Sequence, residues 1–151
     1  MKKAIFALIL ISLSSILSAQ NLSWTIPNNW ELSLEKKAMR LATFLVKDDK
    51  SLAIAVSRFP GDVGGELANV NRWRGQIGLS PVSADNLQEG LEVIDSAAGK
   101  AKLLDISNDG KQMLAVMLPN QGSTYFFKLM GSKDKVSKQK ESMIKLIKSL
   151  K

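Results

Sequence analysis

The sequence predicts an α+β protein in which an antiparallel β-sheet is flanked by helices. Three observations point there. Apolar, strand-like stretches recur in the second half of the chain, separated by the turn-forming sequences "SNDG" and "PNQG". A helical period runs through "ELANVNRWRGQI", and a second one through the C-terminal "KDKVSKQKESMIKLIKSLK".

The chain opens with "MKKAIFALILISLSSILSAQ", two lysines followed by an apolar run from Ala4 to Leu17 and small residues at Ser18 and Ala19. That is the layout of a secretory signal peptide. Serines at 12, 14 and 15 interrupt the run, which is shorter than the roughly 20 residues a spanning helix needs. Residues 1–19 are therefore expected to be a leader and 20–151 a single domain that is soluble, periplasmic or extracellular, and not an integral membrane protein. With no cysteine, there is no thiol for lipid attachment.

Beyond the leader, "SWTIPNNWELS" sets Trp24 and Trp30 on either side of a Pro-Asn-Asn turn, which predicts two short strands. The segments 38–46 and 51–59 flank the charged turn "KDDK" and read as a hairpin. In the second of them, Leu52, Ile54, Val56 and Arg58 alternate with Ala53, Ala55, Ser57 and Phe59. The small residues of the latter face are suited to a helix lying close against the sheet.

Leu67, Val70, Trp73 and Ile77 recur at helical spacing, so residues 66–77 form a helix with one buried face, and Gly78 suits its left-handed C-terminal cap. A polar connection with a short helix near 84–89 leads to "LEVIDS", "KAKLLDIS", "KQMLAVMLP" and "STYFFKLM", for which a meander is the simplest topology. At the C-terminus, Val136, Lys140, Met143, Ile147 and Leu150 mark one stripe of a helix with Ser132 or Asp134 as its N-cap.

Composition narrows the chemistry. The chain has no His and no Cys, which excludes His-based triads, thiol nucleophiles, His-ligated haem and ordinary structural zinc sites. No catalytic residue, metal site or cofactor is assigned. Net charge is +7, and without Lys2 and Lys3 it becomes 19 basic against 14 acidic residues, or +5. Export argues against a nucleic-acid partner.

The segment ahead of and along the first helix, "RFPGDVGGELANVNRWRGQIGL", supplies the candidate binding residues: Arg58, Asp62, Gly64, Gly65, Asn69, Arg72, Arg74 and Gln76. Asn69, Arg72 and Gln76 form a polar stripe opposite the apolar one, and amides and guanidinium groups pair directionally with carbonyl or anionic oxygens. Free N–H groups at the helix start would add a modest anion site. The competing structural reading makes Asp62 the helix cap, the glycines a packing device, and the Asn and Arg side chains ties to neighbouring loops. No GKS or GKT follows the glycines, so this is not a P-loop.

The order of elements, the early W-x-x-P-x-x-W from Trp24 to Trp30 and the terminal "QKESMIKLIKSL" resemble the PsbP-like α/β/α sandwich family. That family takes in the extrinsic P subunit of photosystem II and a small Ran-binding protein. The same glycine-turn segment, with "TYFFKLMG", is similar to a group of exported bacterial proteins sharing the signature FPGDxGGxLANVNRWRGQxGL, which brings no activity with it. The resemblance implies a non-catalytic accessory or binding protein of the cell envelope, with an envelope protein or an anionic or carbohydrate ligand as partner. No family site residue can be carried onto this chain. The alternatives are a hydrolase acting without His or Cys near the glycine turn, and a carbohydrate or cell-wall binder using exposed tryptophan.

Overall fold

The computed structural model describes residues 22–151; the predicted leader lies outside them. The strands β1 (Trp30–Leu32), β2 (Ala42–Val46), β3 (Asp49–Pro60), β4 (Leu91–Ser96), β5 (Gly99–Asn108), β6 (Lys111–Asn120) and β7 (Ser123–Ser132) form one sheet in the order β1-β2-β3-β7-β6-β5-β4. All pairings are antiparallel. Helix α1 (Glu66–Gln76) lies on one face of this sheet, and α2 (Lys133–Val136) and α3 (Lys140–Lys148) lie on the other.

Local chemistry accounts for most of this. β5–β6 and β6–β7 are joined by two-residue turns, Asp109-Gly110 and Gln121-Gly122, in which all four residues have positive φ. Such turns match the right-handed twist of paired strands, so the meander follows from "NDG" and "NQG". Helix α1 ends in a Schellman motif: Gly78 takes φ 79°, its N–H donates to Gly75 O at 3.1 Å, and Leu79 N–H donates to Arg74 O at 2.9 Å.

The sheet separates two cores. On the α3 side, Phe44, Ile54, Val56, Leu114, Val116 and Phe127 meet Val136, Met143, Leu146, Ile147 and Leu150. On the α1 side, Val70, Trp73 and Ile77 pack on Leu104, Ile106, Met113, Ala115 and Met117.

Several expectations need correction. Only Trp30–Leu32 is a strand in the Trp-Pro-Trp region; residues 23–25 instead bond to the C-terminus, with Ser23 N–H donating to Lys151 O at 2.9 Å and Lys151 N–H to Ser23 O at 3.2 Å. The strand expected over 38–46 begins at Ala42, because Met39 stands at φ 65°. Residues 84–89 form turns leading into a single 3-10 turn, Gln88–Gly90. The C-terminal helix is interrupted by a second 3-10 turn, Ser137–Gln139, and Ser132 holds the N-cap position without a side-chain capping bond. Lys140 leaves the apolar stripe to pair with Asp105 at 3.1 Å and Glu92 at 3.4 Å, fastening α3 to the sheet.

The connection from β3 decides where a site can form. β3 sits beside β7, while the next strand, β4, is at the far edge, so the intervening chain must cross β7, β6 and β5. α1 travels with that crossing. Its buried side chains pack on β5 and β6, and on Phe126 of β7. The small residues Ala53, Ala55 and Ser57 of β3 stay outside that core and only half-buried. No helix lies on them, contrary to what their size suggested.

Candidate functional site

The groove left on this bare half-face has α1 as one wall. Arg72, Trp73 and Gln76 line it from the helix, Ala55, Ser57, Phe59, Phe126 and Lys128 from the sheet, and Ala38, Met39 and Arg40 from the β1–β2 connection. Its volume is about 350 Å³, within the range of small-molecule clefts. The floor is apolar. Phe126 packs against Phe59 with centroids 6.1 Å apart and edge-on against Trp73 at 5.6 Å.

Three cations reach this floor and no acid does. Arg40, Arg72 and Lys128 join none of the ion pairs among the described residues. Each is held by a neutral group instead. Arg40 Nη1 donates to Thr43 Oγ1 at 3.3 Å, Arg72 Nη1 to Asn69 Oδ1 at 2.7 Å, and Lys128 Nζ to Gln76 Oε1 at 3.1 Å. Desolvation in the cleft, followed by the charge of Arg40, pushes the Lys128 ammonium below its ordinary pKa of 10.5. A hydroxyl and two carboxamides orient these cations without neutralising them, so their field stays available to a ligand.

The predicted site residues divide into three groups. Arg72 and Gln76 face the groove. Asn69 is on its border but is only 1% exposed: its amide donates to Gly65 O at 2.7 Å and its oxygen receives Arg72. It is a positioning residue for Arg72 and a clasp on the preceding loop, not part of a solvent-facing stripe.

The glycine turn closes on itself. Gly64 N–H donates to Asp62 Oδ1 at 3.2 Å and Gly65 N–H to Asp62 O at 3.1 Å, so neither amide is free for an anion. Gly65 is itself the N-cap of α1, which removes Asp62 from the capping role. Gly64 and Gly65, with φ of 85° and 87°, make a turn that side chains other than glycine's rarely permit. Asp62 and Gly65 belong instead to a neighbouring cleft of about 600 Å³. Its lysines are already paired, Lys102 with Glu66 at 2.5 Å and Lys100 with Asp95 at 2.8 Å.

Two arginines stand elsewhere. Arg58 alternates onto the α3 face of β3, where Nε donates to Ser123 Oγ at 3.1 Å and the guanidinium lies 5.6 Å from the Tyr125 ring centroid. Arg74 Nε donates to Ser80 O at 2.6 Å and ties down the loop after α1. Asn71 does the same with paired bonds to Val82, 3.0 and 2.8 Å. Most of the "LANVNRWRGQ" segment therefore serves the fold, and Arg72 with Gln76 is the remainder.

The tryptophans are packed. Trp30 and Trp73 are 2% and 5% exposed, and half-buried Trp24 sets its edge on Phe44 and Phe127. None is an open stacking platform for a sugar. Arg40, Lys128, Phe59 and Phe126 were not legible as site residues, because only the pairing of β3 with β7 and the fold-back of the β1–β2 connection bring them to Arg72. The alternation of small residues in β3 was the one signal that this face is unusual.

No protein-family model matches the chain, and no curated protein matches it in sequence. Solved structures do share its architecture. Cyanobacterial PsbP (CyanoP) from Synechocystis sp. PCC 6803 superposes with a TM-score of 0.52 at 16% identity, covering 92% of this chain and 98% of that one. A protein from Bacteroides thetaiotaomicron VPI-5482 gives 0.50 at 11% identity over 86% of this chain; the chain spans 44% of that protein's length. LpqN, involved in cell envelope biogenesis of Mycobacterium tuberculosis, gives 0.48 at 17% identity over 85% of this chain and 81% of LpqN. At such identities the likeness concerns the fold alone, and the chain carries a PsbP-like α+β fold, a seven-stranded antiparallel sheet between helices.

Proposed function

We propose that this is an exported, non-catalytic binding or accessory protein of the cell envelope, and that the groove beside α1 is its binding surface. The address rests on the N-terminal sequence, with its lysines, apolar run and small residues at 18 and 19. Among the described residues, no helix is long and apolar enough to cross a membrane.

One observation carries the binding role: three cations without acidic partners converge over a floor of aromatic and small side chains. Charges held by neutral hydrogen-bond partners in a partly desolvated cleft attract an anion more strongly than solvated surface lysines do. The lining residues offer no carboxylate or imidazole base to Ser57, and Lys128 directs its hydrogen bond to Gln76. This favours binding over hydrolysis.

Affinity capture from envelope extract tests the reading, with the wild-type chain run beside an Arg40→Ala/Arg72→Ala double variant. Both arginines are exposed, so the variant should remain folded while losing the captured component. Equal capture by both forms would remove the groove from the function.

A further inference from the structure

We infer that the groove takes a small amphiphilic oxyanion, a molecule with a carboxylate or phosphate at one end and a flat apolar body at the other. The inference rests on the binding role proposed above and specifies its ligand. The two halves of the groove differ in chemistry, and their arrangement fixes the ligand's polarity. Exposed Arg72 from the helix, exposed Arg40 from the β1–β2 connection and half-buried Lys128 from the sheet all line this one groove. An oxyanion placed among them meets donors from several directions, the arrangement in which guanidinium groups hold carboxylate or phosphate best.

Below the cations lie Ala55, Phe59 and Phe126, half-buried. Met39, 75% exposed at the rim, provides an adaptable apolar edge. A bare inorganic anion would leave these surfaces wet, and a neutral hydrocarbon would leave three cations without a counter-charge. An amphiphile answers both. The volume of about 350 Å³ lies at the lower end for ligand clefts and excludes large polymers from complete enclosure.

Trp73 lines the groove, whereas Trp24 and Trp30 belong to the core on the other side of the sheet. Its fluorescence therefore reports occupancy. The purified protein is titrated with 2-naphthoate, 2-naphthyl phosphate and 2-naphthamide, three probes with one apolar body and different heads, and with inorganic phosphate. Calorimetry accompanies the fluorescence, so a spectral overlap cannot pass for binding. Saturable binding of one or both naphthyl anions is expected, with the amide and inorganic phosphate at least tenfold weaker. Comparing the two anions tells a carboxylate from a phosphate ligand. Lys128→Met and Arg72→Ala, each checked to be folded and to unfold cooperatively, should each weaken the anion about tenfold or more.

Equal affinity for the amide and the anions would overturn the inference, as would unchanged affinity in the variants. Failure of all probes, with capture from extract still dependent on Arg40 and Arg72, would overturn the small-amphiphile assignment and leave the binding role standing. Failure of both assays would remove both.

Discussion

Lys128 Nζ donates a 3.1 Å hydrogen bond to Gln76 Oε1, joining the strand in the middle of the sheet to the last turn of the helix that crosses it. The bond links two residues 52 positions apart and sets a cation on the half-face that α1 leaves uncovered. A neutral carboxamide in that role keeps the charge of Lys128 uncompensated, which is unfavourable for folding and useful for binding an anion.

Lys128→Met should therefore leave the thermal midpoint at neutral pH unchanged or raise it. The folded-state pKa of Lys128 is depressed below 10.5, first by desolvation and then by Arg40. The destabilisation is fully present at pH below that lowered pKa and disappears as pH rises past 10.5. Urea midpoints of wild type and variant, measured from neutral to alkaline pH, should converge at the alkaline end. Anion binding to the wild type should weaken as pH rises through the same lowered pKa.

Asn69→Ala and Arg72→Ala should differ sharply although the residues touch. Asn69 is buried and clasps Gly65 O, so its truncation should cost about 1–3 kcal/mol. Arg72 is exposed, and its truncation, which takes the donor from Asn69 Oδ1 but opens that oxygen to water, should cost less, about 1 kcal/mol or below. Equilibrium unfolding in urea separates the two, and the Arg72 variant should be the one that loses binding while keeping most of its stability.

On the opposite face, Trp30 Nε1 donates to Gln139 Oε1 at 2.8 Å, and Asn29 Nδ2 donates to the same oxygen at 3.1 Å. Gln139 lies at the break between α2 and α3, so this bond fastens the interruption in the C-terminal helix to β1. Trp30→Phe should lower stability by about 1–3 kcal/mol through the lost donor and the smaller ring, without changing the binding of groove ligands. Chemical denaturation together with the naphthyl titration checks both parts.

The sequence carried the fold through local signals. Asp109-Gly110 and Gln121-Gly122 specify their turns by backbone conformation, and Val70, Trp73 and Ile77 specify a helix face by spacing. The break at Ser137–Gln139 was hidden because Val136, Met143 and Ile147 keep a helical spacing across it. The candidate site was legible only along α1, where Arg72 and Gln76 stand out from the apolar stripe. Asn69 shares their spacing but turns back to Gly65, and Arg58 is separated from them by the thickness of the sheet. Arg40 and Lys128 enter through a fold-back and a long-range strand pairing, which no local period encodes.

The most direct test of the groove exploits the absence of cysteine from the chain. A single thiol is introduced at the groove rim by Ala38→Cys, and in a second protein on the opposite face by Arg58→Cys; each carries the same short photocrosslinker and is illuminated in envelope extract. The groove account predicts a discrete adduct from position 38, suppressed when Arg72→Ala is added, and none from position 58. Adducts of equal yield from both positions, or from position 58 alone, would contradict it.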